Sequence, residues 1–123
     1  NAVNFLINES HKKGRITIFN DGKFFRDLIY ISDVISAIDK IIKKGKSGEL
    51  YWIASGKKTW FYELANILRK ETNCNIDYTK TPTYTKKVDV GNFQVNNLKL
   101  KKLGWTPKIS IREGIKKTIK FLE

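Results

Sequence analysis

The 123-residue sequence contains no methionine, one cysteine, one histidine and two prolines. Each scarcity removes a class of chemistry. The single thiol, Cys74, forms no internal disulfide, and with no histidine or second cysteine near it in sequence it makes no metal site. That usage fits a reducing, cytoplasmic setting. His11 is the only imidazole and falls on the polar side of a predicted helix, so neither a Ser-His-Asp nor a Cys-His apparatus is legible and His11 reads as a surface residue. No apolar run approaches the roughly 18 residues of a membrane span. The first residues, Asn1-Ala2-Val3-Asn4-Phe5, lack the positive region and apolar core of a secretory signal. A chain without methionine at position 1 is either processed or a piece of a longer protein, and the second is the expectation here.

Acidic residues are the minority charge: 12 Asp and Glu stand against 24 Lys and Arg, a formal net charge of +12. Such a balance suits a nucleic-acid partner. However, the lysines collect at predicted helix ends and loops, as at Lys43-Lys44-Lys46, Lys57-Lys58 and Lys116-Lys117, where solvated charge is the ordinary outcome. Specific nucleic-acid binding is therefore not expected.

What is present is enough apolar content, 41%, for one domain with a core, and too short a chain for two. Val3, Leu6 and Ile7 predict a helix over Ala2 to Lys13 that stops at Gly14. Ile16 to Phe19 and Leu28 to Ile31 read as short strands on either side of an Asn20-Asp21-Gly22 turn. Asp33 is placed to cap a helix whose stripe is Val34, Ile35, Ile38, Ile41 and Ile42, ending at Gly45. Leu50 to Ala54 is apolar without alternation, as in a strand covered on both faces of a parallel sheet. Thr59 would cap a helix bearing Phe61, Leu64, Ala65 and Leu68. Asn75 to Thr79 is a weaker strand. Thr81 to Asn92 predicts a long connection with little regular structure, the kind of loop that often carries function. A short helix over Asn97 to Lys102 precedes Gly104-Trp105-Thr106-Pro107, and Ser110-Ile111-Arg112-Glu113 opens the last helix as a capping box.

No self-contained active site emerges. Gly45-Lys46-Ser47 resembles the end of a phosphate-binding P-loop, but Lys40 stands where its first glycine is required, and no G-x-G-x-x-G occurs. What remains is a set of cationic and aromatic groups around turns: Phe19, Asn20, Arg26, Lys86 and Lys87. Arg26 suits a bidentate contact to a phosphate. It equally suits an ion pair with Asp27 or Asp33 that only steadies the turn, and residue types alone leave both readings open.

The order of motifs adds a resemblance. Asn20-Asp21-Gly22 followed by Arg26-Asp27-Leu28-Ile29-Tyr30-Ile31-Ser32-Asp33-Val34 is similar to G-D-G and R-D-F-x-Y-V-x-D-V in the C-terminal part of extended short-chain dehydrogenases/reductases, the NAD-dependent nucleotide-sugar epimerases and dehydratases. Tyr51 to Gly56 resembles their Y-N-x-G-x-G strand, and Thr59 with Glu63-Leu64 the helix after it. Lys86 or Lys87 before Asp89, Asn96-Asn97-Leu98-Lys99, Leu103-Gly104-Trp105-Thr106-Pro107 and Glu113-Gly114 complete the series. Departures are Asn20 for glycine, lysine for arginine in the late loop, Asn96 for aspartate and Trp52 for a small polar residue. Asn20 suits a position that needs φ > 0, where only Asn or Asp substitutes comfortably for Gly.

The resemblance implies an α/β fold: residues 1–123 as a small mixed α/β substrate-binding domain of an extended Rossmann-type enzyme, without the N-terminal dinucleotide-binding domain. It implies that Arg26 reaches the diphosphate of a nucleotide sugar, that Thr17 to Phe19 lie beside the base with Asn20 at the turn, and that Lys86 or Lys87 acts near the phosphates or ribose. NAD or NADP would bind to the N-terminal part and none to this chain. Catalysis would belong upstream too: the family's Tyr-x-x-x-Lys pair is missing, since Val34, Ser55, Asn66, Pro82 and Val88 follow the five tyrosines at that spacing. The chain alone would then be inactive, with no catalytic, cofactor-binding or metal-binding residue. Its expected partners are the nucleotide sugar, the remainder of its own polypeptide and a second copy in a homodimer. The rival readings are a stand-alone basic module for RNA and a non-catalytic binding protein of the same family.

Overall fold

The computed structural model describes residues 1–88 and 91–123. A two-stranded parallel sheet sits at its centre: β1 (Arg15–Phe19) pairs with β4 (Asn75–Thr79), register Ile16 to Ile76 and Ile18 to Tyr78. The alternation of β1 decides which face is covered, with Ile16 and Ile18 buried and Thr17 and Phe19 exposed. Onto the buried face pack α1 (Ala2–Lys13) and α3 (Phe61–Thr72), with α6 (Ile111–Leu122) against both helices. Their contribution is Leu6, Ile7, Phe61, Leu64, Ala65, Leu68, Ile115 and Ile119, joined by Cys74. Leu64 and Leu68 are fully buried, each contributing about 1.5–3 kcal/mol.

Local rules explain the helix ends. Asn1 accepts from the Val3 and Asn4 amides at the start of α1, and Gly14 closes it in the left-handed conformation, as the sequence predicts. Ser110 Oγ accepts from the Glu113 amide at the start of α6, 3.2 Å away. The Glu63 carboxylate accepts the Trp60 amide ahead of α3, 3.2 Å away. Thr59 is therefore not the cap: with Trp60 it forms β3 (Thr59–Trp60), antiparallel to β2 (Phe25–Arg26).

A second apolar cluster holds the other half. Ala37 of α2 (Ile31–Lys44), Leu100 of α5 (Leu98–Lys101) and Trp105 are buried with Ile29, Ile41, Tyr51, Ile53 and Leu103 against them. Polar ties reinforce it: Trp105 Nε1 donates to Ser36 Oγ at 2.9 Å, and buried Asn97 donates to the Ala54 carbonyl at 2.9 Å. Lys99 pairs with Glu49 and, mainly by hydrogen bonding to it, holds that carboxyl below its usual range. The pair's contribution is therefore present above the ordinary carboxylate pKa and is lost as pH falls through the lowered value.

Four further expectations are corrected. Leu28 to Ile31 is not a strand: α2 already begins at Ile31, and the ladder in this stretch belongs to Phe25 and Arg26. Asp33 does not cap α2, whose N-cap is Tyr30. Its buried carboxylate instead accepts the amides of Lys108 and Ile109, at 3.0 and 2.9 Å, binding the helix to the segment before α6. Leu50 to Ala54 forms no ladder among the described residues. Tyr51 and Ile53 face the second cluster, while Leu50 and Trp52 are 66% and 60% exposed, so one face is bare where two covered faces are expected. Thr83–Val88, inside the predicted irregular connection, is a short helix, α4.

Candidate functional site

The site is organised by the turn that leaves β1. Asn20, Asp21 and Gly22 all have positive φ, at 50°, 52° and 70°. Asn and Asp tolerate this region best among residues with a side chain, so the Asn that stands in place of glycine is conformationally matched to its position. Gly22 is held there by space as well: a Cβ on it would lie 2.5 Å from the Tyr62 amide nitrogen. The Lys23 amide closes the turn by donating to the Asn20 carbonyl at 2.9 Å.

Two directions diverge from this turn. On one side Asn20 and Asp21 form a wall of an open groove of about 770 Å³, lined also by Tyr78, Thr79, Lys80, Thr81, Lys86 and Gly91. The parallel register explains the grouping, because pairing Phe19 with Thr79 brings the end of β4 level with the turn. On the other side the chain runs into β2 and Arg26, which is half-buried. One Arg26 nitrogen, Nη1, donates to the Phe25 carbonyl at 2.8 Å, and the guanidinium carbon lies 5.7 Å from the centre of the Phe93 ring.

Both carboxylates that the sequence offers to Arg26 are taken by backbone amides. Asp27 accepts from the Ser55 amide and hydroxyl, at 2.8 and 2.7 Å, and from the Gly56 amide at 2.8 Å. Asp33 is committed to Lys108 and Ile109. The neighbours Arg26 and Asp27 thus have separate tasks.

Of the six candidate residues, the structure brings Asn20 and Lys86 to one groove. Thr17 and Phe19 lie on the exposed face of β1 leading into it. Lys87 is exposed on α4 but does not line the groove, and Arg26 stands across the turn on β2. Asp89, which follows the two lysines in sequence, lies outside the described residues. Sequence reasoning missed Tyr78 and Lys80 in the groove and Asn92 and Phe93 beside Arg26. The pairing of the weak strand Asn75 to Thr79 with β1 would have pointed to the first two. Nothing local pointed to the others, which depend on where residues 91–93 return. Among the described residues no group of three His, Cys, Asp or Glu is placed to hold a metal ion, and no helix is long and apolar enough to cross a membrane.

Residues 2–118 match the family model described as GDP-mannose 4,6 dehydratase. The chain belongs to this GDP-mannose 4,6-dehydratase family. It is 33% identical over 109 residues to human dTDP-D-glucose 4,6-dehydratase, covering 85% of this chain and 31% of the relative. Among solved structures it superimposes on UDP-glucose 4-epimerase of Thermotoga maritima, determined with UDP-glucose, with a TM-score of 0.83 and 29% identity over 99% of this chain and 39% of the epimerase. Bordetella bronchiseptica WbmF, determined with NAD+, gives a TM-score of 0.80 and 28% identity, covering 98% of this chain and 36% of WbmF. The chain thus spans about a third of the length of the curated relatives it matches. The resemblance to the C-terminal part of extended short-chain epimerases and dehydratases is borne out, as is the mixed α/β fold with small sheets.

Proposed function

We propose that this chain forms the nucleotide-sugar-binding part of an NAD-dependent sugar dehydratase or epimerase. The observation that carries the reading is the left-handed Asn20–Gly22 turn, which sets Asn20 in a groove with Lys86 and leads directly to half-buried Arg26. A cationic groove with a neighbouring guanidinium suits a diphosphate, and family members named above act on dTDP- and UDP-sugars. In this reading Arg26 grips the diphosphate, Thr17 to Phe19 and Asn20 lie along the nucleoside, and Lys86 adds charge within the groove, with Lys87 on the same short helix.

The residues present do not fit a nicotinamide dinucleotide: no G-x-G-x-x-G turn exists to cradle its pyrophosphate, and no tyrosine is followed by lysine at the spacing noted above. The cofactor and the chemistry are assigned to the remainder of the polypeptide, so this chain binds and orients substrate and is inactive alone.

Calorimetric titration of the chain with UDP-glucose, dTDP-glucose and GDP-mannose tests the reading. At least one is expected to bind, and Arg26→Ala to weaken it by about 1.5–3 kcal/mol, the scale of a hydrogen bond to a charged group, or roughly 10- to 150-fold. Unchanged affinity would return Arg26 to a structural role. Salt-sensitive binding of single-stranded RNA, with no response to any nucleotide sugar, would favour a basic nucleic-acid module instead.

The remainder of the polypeptide has a surface to occupy. Ile31, Ile35, Ile38 and Ile42 recur at helical spacing along α2 with exposures of 61, 61, 45 and 78%, and Leu50 and Trp52 are bare as well. Apolar patches of this kind on a soluble domain mark an interface. Without its cover, the chain is expected to self-associate with rising concentration in analytical ultracentrifugation, and Ile35→Asp with Ile42→Asp to restore a monomer. A wild-type chain that stays monomeric at high concentration would remove this support.

A further inference from the structure

Resting on the nucleotide-sugar reading, we infer that Asn92 and Phe93 are positioning residues that clamp the Arg26 strand to the lysine-bearing wall of the groove. β2 is only two residues long and is paired on one edge with β3, Phe25 to Trp60 and Arg26 to Thr59. Its other edge meets a side chain: the Phe25 amide donates to Asn92 Oδ1 at 3.0 Å, across 67 positions of sequence. The carboxamide replaces a missing strand neighbour for the residue immediately before Arg26. The next residue, Phe93, sets its ring 5.7 Å from the Arg26 guanidinium, within cation–π range.

Among the described residues, Arg26 is therefore confined from three sides. Its own Nη1 bonds back to the Phe25 carbonyl, β3 holds one edge of its strand, and residues 92–93 hold the other edge and the face of the guanidinium. The same stretch of chain begins at Gly91 in the groove, where Lys86 also lies. Asn92 thus connects the two cationic components mechanically. A ligand that needs both, a nucleoside diphosphate, gains from the clamp, because less freedom is lost when the guanidinium is already oriented. A ligand that reaches only the groove gains little.

The test is titration of the full chain with UDP-glucose, UDP and uridine, comparing wild type, Asn92→Ala, Arg26→Ala and the double variant. Asn92→Ala is expected to weaken UDP and UDP-glucose about five- to tenfold, the effect of one hydrogen bond, and to leave uridine within about twofold. The double variant should bind no worse than Arg26→Ala alone, since the clamp acts through the arginine. Phe93→Leu, which keeps bulk and removes the π face, should lose a smaller factor in the same ligands. Amide hydrogen exchange supplies a readout independent of binding: the Phe25 amide should exchange faster in Asn92→Ala while the Leu64 and Leu68 amides of α3 keep their protection. If UDP-glucose binds wild type and Asn92→Ala matches it, weakens uridine equally, or adds fully to Arg26→Ala, the clamp is refuted while the site stands. Failure of wild type to bind UDP-glucose, dTDP-glucose or GDP-mannose overturns the nucleotide-sugar reading, and the clamp with it.

Discussion

Gly22→Ala should destabilise the chain by about 2–5 kcal/mol. Two independent costs combine: a left-handed backbone at φ 70°, worth about 1–2 kcal/mol for a residue with a Cβ, and overpacking of about 1–3 kcal/mol. The overpacking falls on backbone, since the new Cβ would stand 2.5 Å from the Tyr62 nitrogen and 2.8 Å from its Cα. No rotamer change relieves it, so the start of α3 or the turn itself must move. Gly14→Ala separates the two costs. Gly14 has nearly the same φ, 65°, yet nothing within 4 Å of the new Cβ, and should lose only the conformational share. Urea unfolding with unchanged m-value measures both. Equal losses at the two positions would mean that the close approach to Tyr62 is not a constraint. Under the proposed function the consequence reaches binding, because a shifted turn displaces Asn20 and Arg26 together.

Asp27→Ala should cost about 2–4 kcal/mol and act on stability more than on ligand affinity. Its carboxylate is the common acceptor for the Ser55 amide, the Ser55 hydroxyl and the Gly56 amide, and removing it leaves those donors without their charged partner. The Ser55–Gly56 turn is pinned from the opposite side as well. Asn97 donates to Ala54 and lies 3.0 Å from where a Gly56 Cβ would be, so the turn cannot relax toward solvent without disturbing α5. Asp27→Asn, which keeps one acceptor oxygen, should fall between wild type and alanine. Arg26→Ala is the contrast, with the larger effect on nucleotide-sugar affinity and the smaller one on the unfolding midpoint. If Asp27→Ala instead lowers affinity and leaves the midpoint unchanged, Asp27 serves Arg26 and the division between the neighbours is wrong.

That division shows where sequence reading stops. The Arg26-Asp27 dipeptide with Asp33 nearby offers the arginine two acids within seven residues, and nothing in composition or spacing chooses between an ion pair and a ligand contact. What the two acids hold is decided by backbone amides at Ser55, Gly56, Lys108 and Ile109, all distant in sequence. Asn92 is the same case with greater separation: an exposed Asn in a connecting segment carries no local sign that it completes the edge of a strand 67 positions earlier. The α2 stripe misleads for a related reason. Helical spacing of isoleucines identifies an apolar face, but not whether this chain supplies the cover, and Ile35, Ile38 and Ile42 stand exposed.

What the sequence determined by itself was whatever depends on neighbours along the chain. Gly14 ends α1, Ser110 caps α6, the alternation of β1 buries Ile16 and Ile18, and Asn20 accepts a positive φ that most residues refuse. The order of motifs from Asn20-Asp21-Gly22 to Glu113-Gly114 was sufficient to show the resemblance to the family. The tertiary structure alone decided which acid holds which amides, how β1 meets β4, and which side chains surround Arg26. Those outcomes select one partner among several of similar chemistry, and that selection is made by the packing of the whole chain.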